Sequence, residues 1–257
     1  MSEAVWITGA GKGLGRALAL ELARRGWLVA ASARTAADLD SLCREASSLP
    51  GRIEAFPLDV TDGDAVAHTV AAIEESCGPL ATAVLNAGTH IPVSAAHLTA
   101  APFRTLIESN VMGVVHGLAT LLPRFIERRA GHIAVVASVA GYRGLPTGAA
   151  YGASKAALIN MCESLKPELD PLGVRLRLVN PGFVKTPLTD KNPFPMPFLM
   201  DVDAAAARFA DGLEGNRFEI TFPRRFTWLL KALRLLPYPL YFALTRRLVP
   251  TMRGAGQ

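Results

Sequence analysis

Residues 4–26 read AVWITGAGKGLGRALALELARRG, and this stretch decides the fold. AVWIT (4–8) is an apolar run without alternation, the mark of a strand covered on both faces. LGRALALELARRG (14–26) reads as a helix ending at Gly26. Between them lies Thr8-Gly9-Ala10-Gly11-Lys12-Gly13-Leu14-Gly15. Glycines let a backbone turn sharply and let an anion sit close to the free N–H groups at a helix N-terminus. In this strand–turn–helix setting the segment is read as a cradle for a dinucleotide pyrophosphate. A tight structural turn is the competing reading.

The same alternation runs outward. WLVAAS (27–32), RIEAFPLDV (52–60), LATAVLNAG (80–88), HIAVVAS (132–138), VRLRLVN (174–180) and RFEITF (217–222) read as strands. Helices are expected over 36–48, 63–76, 102–129, 150–170 and 201–213, with a kink or early end at Pro167. Strand–helix alternation at this spacing gives right-handed βαβ units. The fold class is therefore α/β, a three-layered, doubly wound parallel sheet (Rossmann fold) in a single domain over 1–222. A C-terminal helical extension follows over 223–257.

Composition closes off other classes. Of 257 residues, 50% are hydrophobic and 19% charged, which excludes a disordered chain. Cys43, Cys77 and Cys162 are scattered, so no disulfide framework is expected and a reducing, cytoplasmic setting fits. The five histidines never reach ligand spacing, so no metal is expected. The segment MSEAVWITGAGKG has no basic and apolar leader pattern. The net charge of +5 is uneven: residues 217–257 carry +7 and the rest −2. The basic character thus belongs to the tail, and no nucleic-acid partner is expected.

Charge also bears on the nucleotide. Ser32, Ala33 and Arg34 follow the second strand, and Lys12 sits in the glycine loop. An acid at the strand end would hold a ribose diol. Two cations without a carboxylate suit a 2′-phosphate, so NADP(H) is preferred and NAD(H) left open. The bland alternative makes Lys12 and Arg34 ordinary surface cations.

Ser138 ends a strand, and Tyr151-Gly-Ala-Ser-Lys155 opens a helix. Residues i and i+4 share a helix face. The ammonium is expected to favour the phenolate and lower the pKa of Tyr151 toward the working range of a general acid. Ser138 can then hydrogen-bond a carbonyl oxygen.

Gly9-x3-Gly13-x-Gly15, Asn86-Ala87-Gly88 and Ser138-x12-Tyr151-x3-Lys155 together resemble the short-chain dehydrogenase/reductase family over about residues 4–222. The loop and the following Ala33-Arg34-Thr35 resemble its NADP-preferring carbonyl reductases. The resemblance implies that Asp59 and Val60 read the adenine and that Asn86, Ala87 and Gly88 border the cofactor. Leu85 stands where the family usually has a first Asn. It further implies that Asn110 completes the catalytic set by holding a helix kink and a water relaying protons to Lys155. The turn Pro181-Gly182-Phe183-Val184-Lys185-Thr186 would hold the nicotinamide through Val184 and Thr186, and Lys155 would also bond the ribose. Family members pair the 102–129 and 150–170 helices across a dimer axis, so a homodimer or homotetramer is expected. Apolar residues on several faces of the 150–170 helix, Ala153 and Ala156 among them, suit cover on more than one side.

The segment after Thr186 covers substrate in the family. Here it is proline-stiffened and apolar, which points to an apolar carbonyl or alcohol substrate with Tyr142, Phe183, Phe194 and Phe198 as neighbours. Packing on the core is the alternative, and Arg143 is a candidate for a substrate anion. The tail breaks into pieces near 225–236 and 238–248, with Pro237 and Pro239 between them, and no run there reaches a membrane span. Aromatics flanked by cations suit peripheral contact with anionic lipid through 223–250; a lid or a subunit contact suits the same residues. The leading reading is NADPH-dependent reduction of an apolar ketone or aldehyde, with Tyr151 as general acid. An alcohol dehydrogenase working toward oxidation, a non-catalytic NADP-binding protein and a membrane-surface adaptor are the rivals.

Overall fold

The computed structural model describes residues 4–191 and 196–248. The chain alternates β1 (Ala4–Thr8), α1 (Gly13–Arg24), β2 (Leu28–Ser32), α2 (Ala36–Glu45), β3 (Arg52–Ala55), α3 (Gly63–Cys77) and β4 (Leu80–Leu85). It continues with α4 (Ala100–Leu106), a π-helical turn (Ile107–Met112), α5 (Gly113–Glu127), β5 (Gly131–Val136), α6 (Ala149–Leu169) and β6 (Val174–Pro181). Then come α7 (Val202–Glu214), β7 (Glu219–Phe222), α8 (Arg224–Arg234) and α9 (Tyr238–Thr245). The strands form one parallel sheet in the order β3-β2-β1-β4-β5-β6-β7. Strand order reverses at β1 and β4, whose carboxyl ends open the crevice where such sheets bind ligands.

Alternate residues of each strand feed opposite cores. Trp6, Leu85, Ile133 and Val135 pack with Val70 and Ile73 of α3, Leu118 and Phe125 of α5, and Leu158 of α6. Val5, Ile7, Val84 and Ala134 pack with Leu18 and Leu22 of α1, Leu39 and Leu42 of α2, and Phe209 and Leu213 of α7. This double cover explains the absence of hydrophobic alternation. The 100–127 stretch is apolar and long enough to cross a membrane, yet Leu106, Leu118, Leu121 and Phe125 are spent on this protein's own core.

Several boundaries moved. β3 stops at Ala55, because Pro57 removes a donor; Phe56 and Leu58 still donate to the carbonyls of Ala31 and Ala33. The expected helix at 102–129 is interrupted by the π turn. The early end expected as one outcome at Pro167 does not occur. α6 runs on to Leu169, since the missing donor falls in its last turn, opposite the carbonyl of exposed Glu163. Ala153 and Ala156, expected under cover, are exposed in the single chain.

Candidate active site

The glycine loop is clamped from the neighbouring strand. The Thr8 hydroxyl accepts from the backbone N–H groups of Asn86 and Ala87, both at 3.0 Å. The Asn86 amide donates to the carbonyls of Thr8 (3.0 Å) and Gly9 (3.3 Å). Gly9 has φ +70°, and a Cβ there would come within 2.8 Å of Ala87 Cα. A Cβ on Gly15 would stand 2.4 Å from the Gly9 carbonyl oxygen. Lys12 provides no side-chain cap to α1, so the first N–H groups of that helix are open to an anion. Gly11 is buried and Leu14 partly so. Thr186 closes over the loop, lying 3.3 Å from where a Gly13 Cβ would be. These contacts fit the close approach of a pyrophosphate.

At the far end of this cradle, Arg34 and Lys12 are both exposed. Lys12 is not alone: its ammonium lies 3.3 Å from the Asp38 carboxylate. The expectation of two cations without a carboxylate is thus corrected, because the first turn of α2 brings an acid across. Asp59 accepts from the N–H (3.0 Å) and hydroxyl (2.9 Å) of Thr61, while Asp62 caps α3. Val60 packs on Gly113, and its carbonyl pairs with His116 Nδ1 at 2.9 Å.

Ser138, Tyr151 and Lys155 converge beyond the carboxyl end of β5. Ser138 Oγ accepts from Ala140 N–H (3.1 Å) and donates to the Pro181 carbonyl (3.4 Å), and its hydroxyl acts on the Tyr151 phenol. Tyr151 meets His90 edge to face, with ring centroids 4.7 Å apart. Lys155 Nζ lies 5.8 Å from the Tyr151 ring centroid and donates to the Val136 carbonyl at 2.8 Å. Burial pushes Lys155 down to about 8. Burial pushes Tyr151 up, opposed by the Ser138 hydrogen bond. The lowering of the phenol by its neighbouring ammonium is therefore not what this arrangement produces: desolvation prevails while the ammonium addresses a main-chain carbonyl.

Asn110 is fully buried in the π turn. Its carbonyl oxygen accepts from Thr89 N–H (2.8 Å), and its amide donates to the Thr89 carbonyl (3.0 Å) and to Ser154 Oγ (3.1 Å). Ser154 in turn donates to the Tyr151 carbonyl at 2.7 Å. Gly88 completes the group, since a Cβ there would lie 3.1 Å from Asn110 Oδ1 and 3.5 Å from Lys155 Nζ. Thr8, Asp38 and Ser154 were missed from the sequence. Ser154 was readable only through its place between Tyr151 and Lys155.

Val184 is buried and bridges Met200, so the turn after Pro181 and Gly182 is tied to the segment expected over the substrate. Phe183 and Phe198 both stack on Phe226 of α8, at 5.4 and 5.8 Å. Phe194 lies outside the described residues. The Tyr142 hydroxyl is engaged within the fold. The residue is 8% exposed, and its hydroxyl donates to Glu219, which also binds Asn180 and Lys231. Arg143 is likewise engaged elsewhere, donating to the carbonyls of Leu233, Arg234 and Leu236 at the end of α8.

A nucleotide cradle joined to a Ser, Tyr and Lys at one sheet edge has relatives. The sequence pattern of the short chain dehydrogenase family matches residues 3–194. An uncharacterized oxidoreductase of Myxococcus xanthus is 41% identical over 242 residues, 94% of this chain and 96% of the relative. The 3-oxoacyl-[acyl-carrier-protein] reductase FabG of Thermotoga maritima is 35% identical over 187 residues, 73% of this chain and 76% of its own. A short-chain dehydrogenase structure from Streptomyces avermitilis superimposes with a TM-score of 0.79 at 27% identity, covering 96% of this chain and 98% of that one. One from Sphingobium yanoikuyae, in complex with NADPH, gives 0.78 at 25% identity over 99% and 98%. The chain belongs to the short-chain dehydrogenase/reductase family. It is an oxidoreductase acting on CH–OH and C=O groups, built on a nucleotide-binding Rossmann-type sheet.

Proposed function

We propose that this protein reduces a ketone or aldehyde of an apolar compound to the alcohol, using NADPH. The observation that carries the reading is the convergence of Ser138, Tyr151, Lys155 and Asn110 beside Gly88, at the mouth of the glycine cradle. The names of two relatives support it: a 3-oxoacyl reductase, and a dehydrogenase holding NADPH. Gly9, Gly11, Gly13, Leu14 and Gly15 would hold the pyrophosphate, Lys12 and Arg34 the 2′-phosphate, and Asp59 and Val60 the adenine. Asn86, Ala87, Pro181, Gly182, Val184 and Thr186 would flank the nicotinamide, with Phe183 and Phe198 on the substrate side. When bound, the reduced nicotinamide supplies hydride to the carbonyl carbon.

The chain's own residues handle the oxygen. Ser138 Oγ donates a hydrogen bond to it, stabilising the charge that develops there. Tyr151 donates its proton. Burial and the Ser138 hydroxyl act on the Tyr151 phenol in opposite senses; the reductive direction is read from the use of NADPH. The Lys155 ammonium would return a proton to the Tyr151 oxygen and regain one from solvent, with Asn110 holding the water that carries it. The open face of α6 carrying Ala153 and Ala156 would be covered by a second copy in a homodimer. Three free thiols fit a cytoplasmic setting.

The test is NADPH consumption against a panel of apolar aldehydes and ketones. Tyr151→Phe is expected to lower kcat about 10²–10⁴-fold with little change in cofactor affinity. Unchanged turnover of every accepted substrate would overturn the mechanism, and a strong preference for NADH would overturn the assignment of Lys12 and Arg34.

A further inference from the structure

We propose that α8 and α9 form a docking face for an anionic lipid surface. α8 turns Phe226, Thr227 and Leu230 inward and leaves Trp228 71% exposed. Leu235, in the link to α9, is 84% exposed. In α9 only Tyr241 and Thr245 are buried, so Leu240, Phe242 and Leu244 meet solvent. Exposed large apolar groups concentrated in two consecutive helices of a folded protein mark an interaction site.

The face is held in place rather than dangling. The Arg143 guanidinium binds three carbonyls at the end of α8 and stacks on the rings of Tyr238 (5.1 Å) and Tyr241 (3.8 Å). The Tyr241 hydroxyl donates to the Gly144 carbonyl.

Charge selects the occupant. Residues 223–257 contain no Asp or Glu. Arg224, Arg225, Arg234, Arg246 and Arg247 form no ion pair among the described residues. A second copy meeting this face about a two-fold axis would set these cations against their own kind. A bilayer with anionic headgroups accepts both halves at once, aromatic and aliphatic groups at the interface and guanidinium groups on the phosphates. Inward-facing Phe226 carries the packing of α8 on to Phe183 and Phe198.

Flotation of the full chain on vesicles tests this. The chain is expected to float with vesicles of phosphatidylglycerol and phosphatidylcholine in equal parts, to stay behind with pure phosphatidylcholine, and to be released by high salt. Each of Arg246→Ala and Arg247→Ala is expected to lower partitioning about fivefold. Leu240→Glu with Phe242→Glu should abolish flotation while thermal melting and nucleotide binding stay unchanged. Brominated acyl chains should quench emission from the unaltered chain and not from Trp228→Phe. Absence of flotation on the anionic vesicles, or equal flotation on both kinds, overturns the proposal. So does a drop in oligomer size caused by the Leu240→Glu, Phe242→Glu pair without loss of flotation, which would give the face to a second copy.

Discussion

Lys12 shows how one side chain's partner changes what it can do for a ligand. Its ammonium lies 3.3 Å from Asp38, a carboxylate that is itself only partly exposed. A dianionic 2′-phosphate drawn by Lys12 and Arg34 must therefore come near a fixed negative charge. At such separations in a largely solvated site the repulsion is about 0.5–1 kcal/mol after screening. Asp38→Asn is expected to tighten NADP(H) binding about two- to fivefold and to leave NAD(H) almost unchanged. A titration of both nucleotides against native protein and variant checks this. Equal effects on the two would detach Asp38 from the phosphate.

The helix running from α4 into α5 carries a second device. The π turn at Ile107–Met112 turns Asn110 inward, where it satisfies both backbone groups of Thr89 and the Ser154 hydroxyl. Asn110→Ala would strand these three partners in a buried pocket, costing about 2–4 kcal/mol. Thermal melting should fall by about 5–15 °C, and kcat should fall with it because Ser154 holds the Tyr151 carbonyl. A loss of kcat without any melting shift would make the residue a proton relay alone. Regular elements such as β1 and α1 were legible because burial on two faces writes itself as unbroken apolar runs. The glycine loop was legible because its glycines are demanded by steric contacts with residues 86 and 87. The π turn has no comparable periodic signature: one inserted residue shifts the phase of a helix without changing its composition. The intramolecular partners of Tyr142 and Arg143 were not legible for a related reason. These partners, Glu219 and the carbonyls of Leu233, Arg234 and Leu236, lie about 75 or more residues away, and no local pattern announces them.

Across the whole molecule, the two ends of the sheet do different work. The carboxyl ends hold the site, while the amino end of β5 holds His132, paired in register with Arg175 of β6 and close to Arg177. Burial, with two guanidinium groups adding to it, pushes His132 down to about 3 from an ordinary 6.5. Its imidazole is thus neutral in the folded chain throughout the physiological range. Below pH 6.5 the unfolded chain binds a proton that the folded chain refuses, so stability is intact above 6.5 and drains away as pH falls toward 3. At pH 5 the loss from this one group is about 2 kcal/mol. For a chain of this size that is about 4–8 °C in Tm. His132→Asn should therefore melt with a weaker dependence on pH between 7 and 5 than the native chain, by about that margin. Parallel shifts in the two proteins would move the acid sensitivity to the carboxylates.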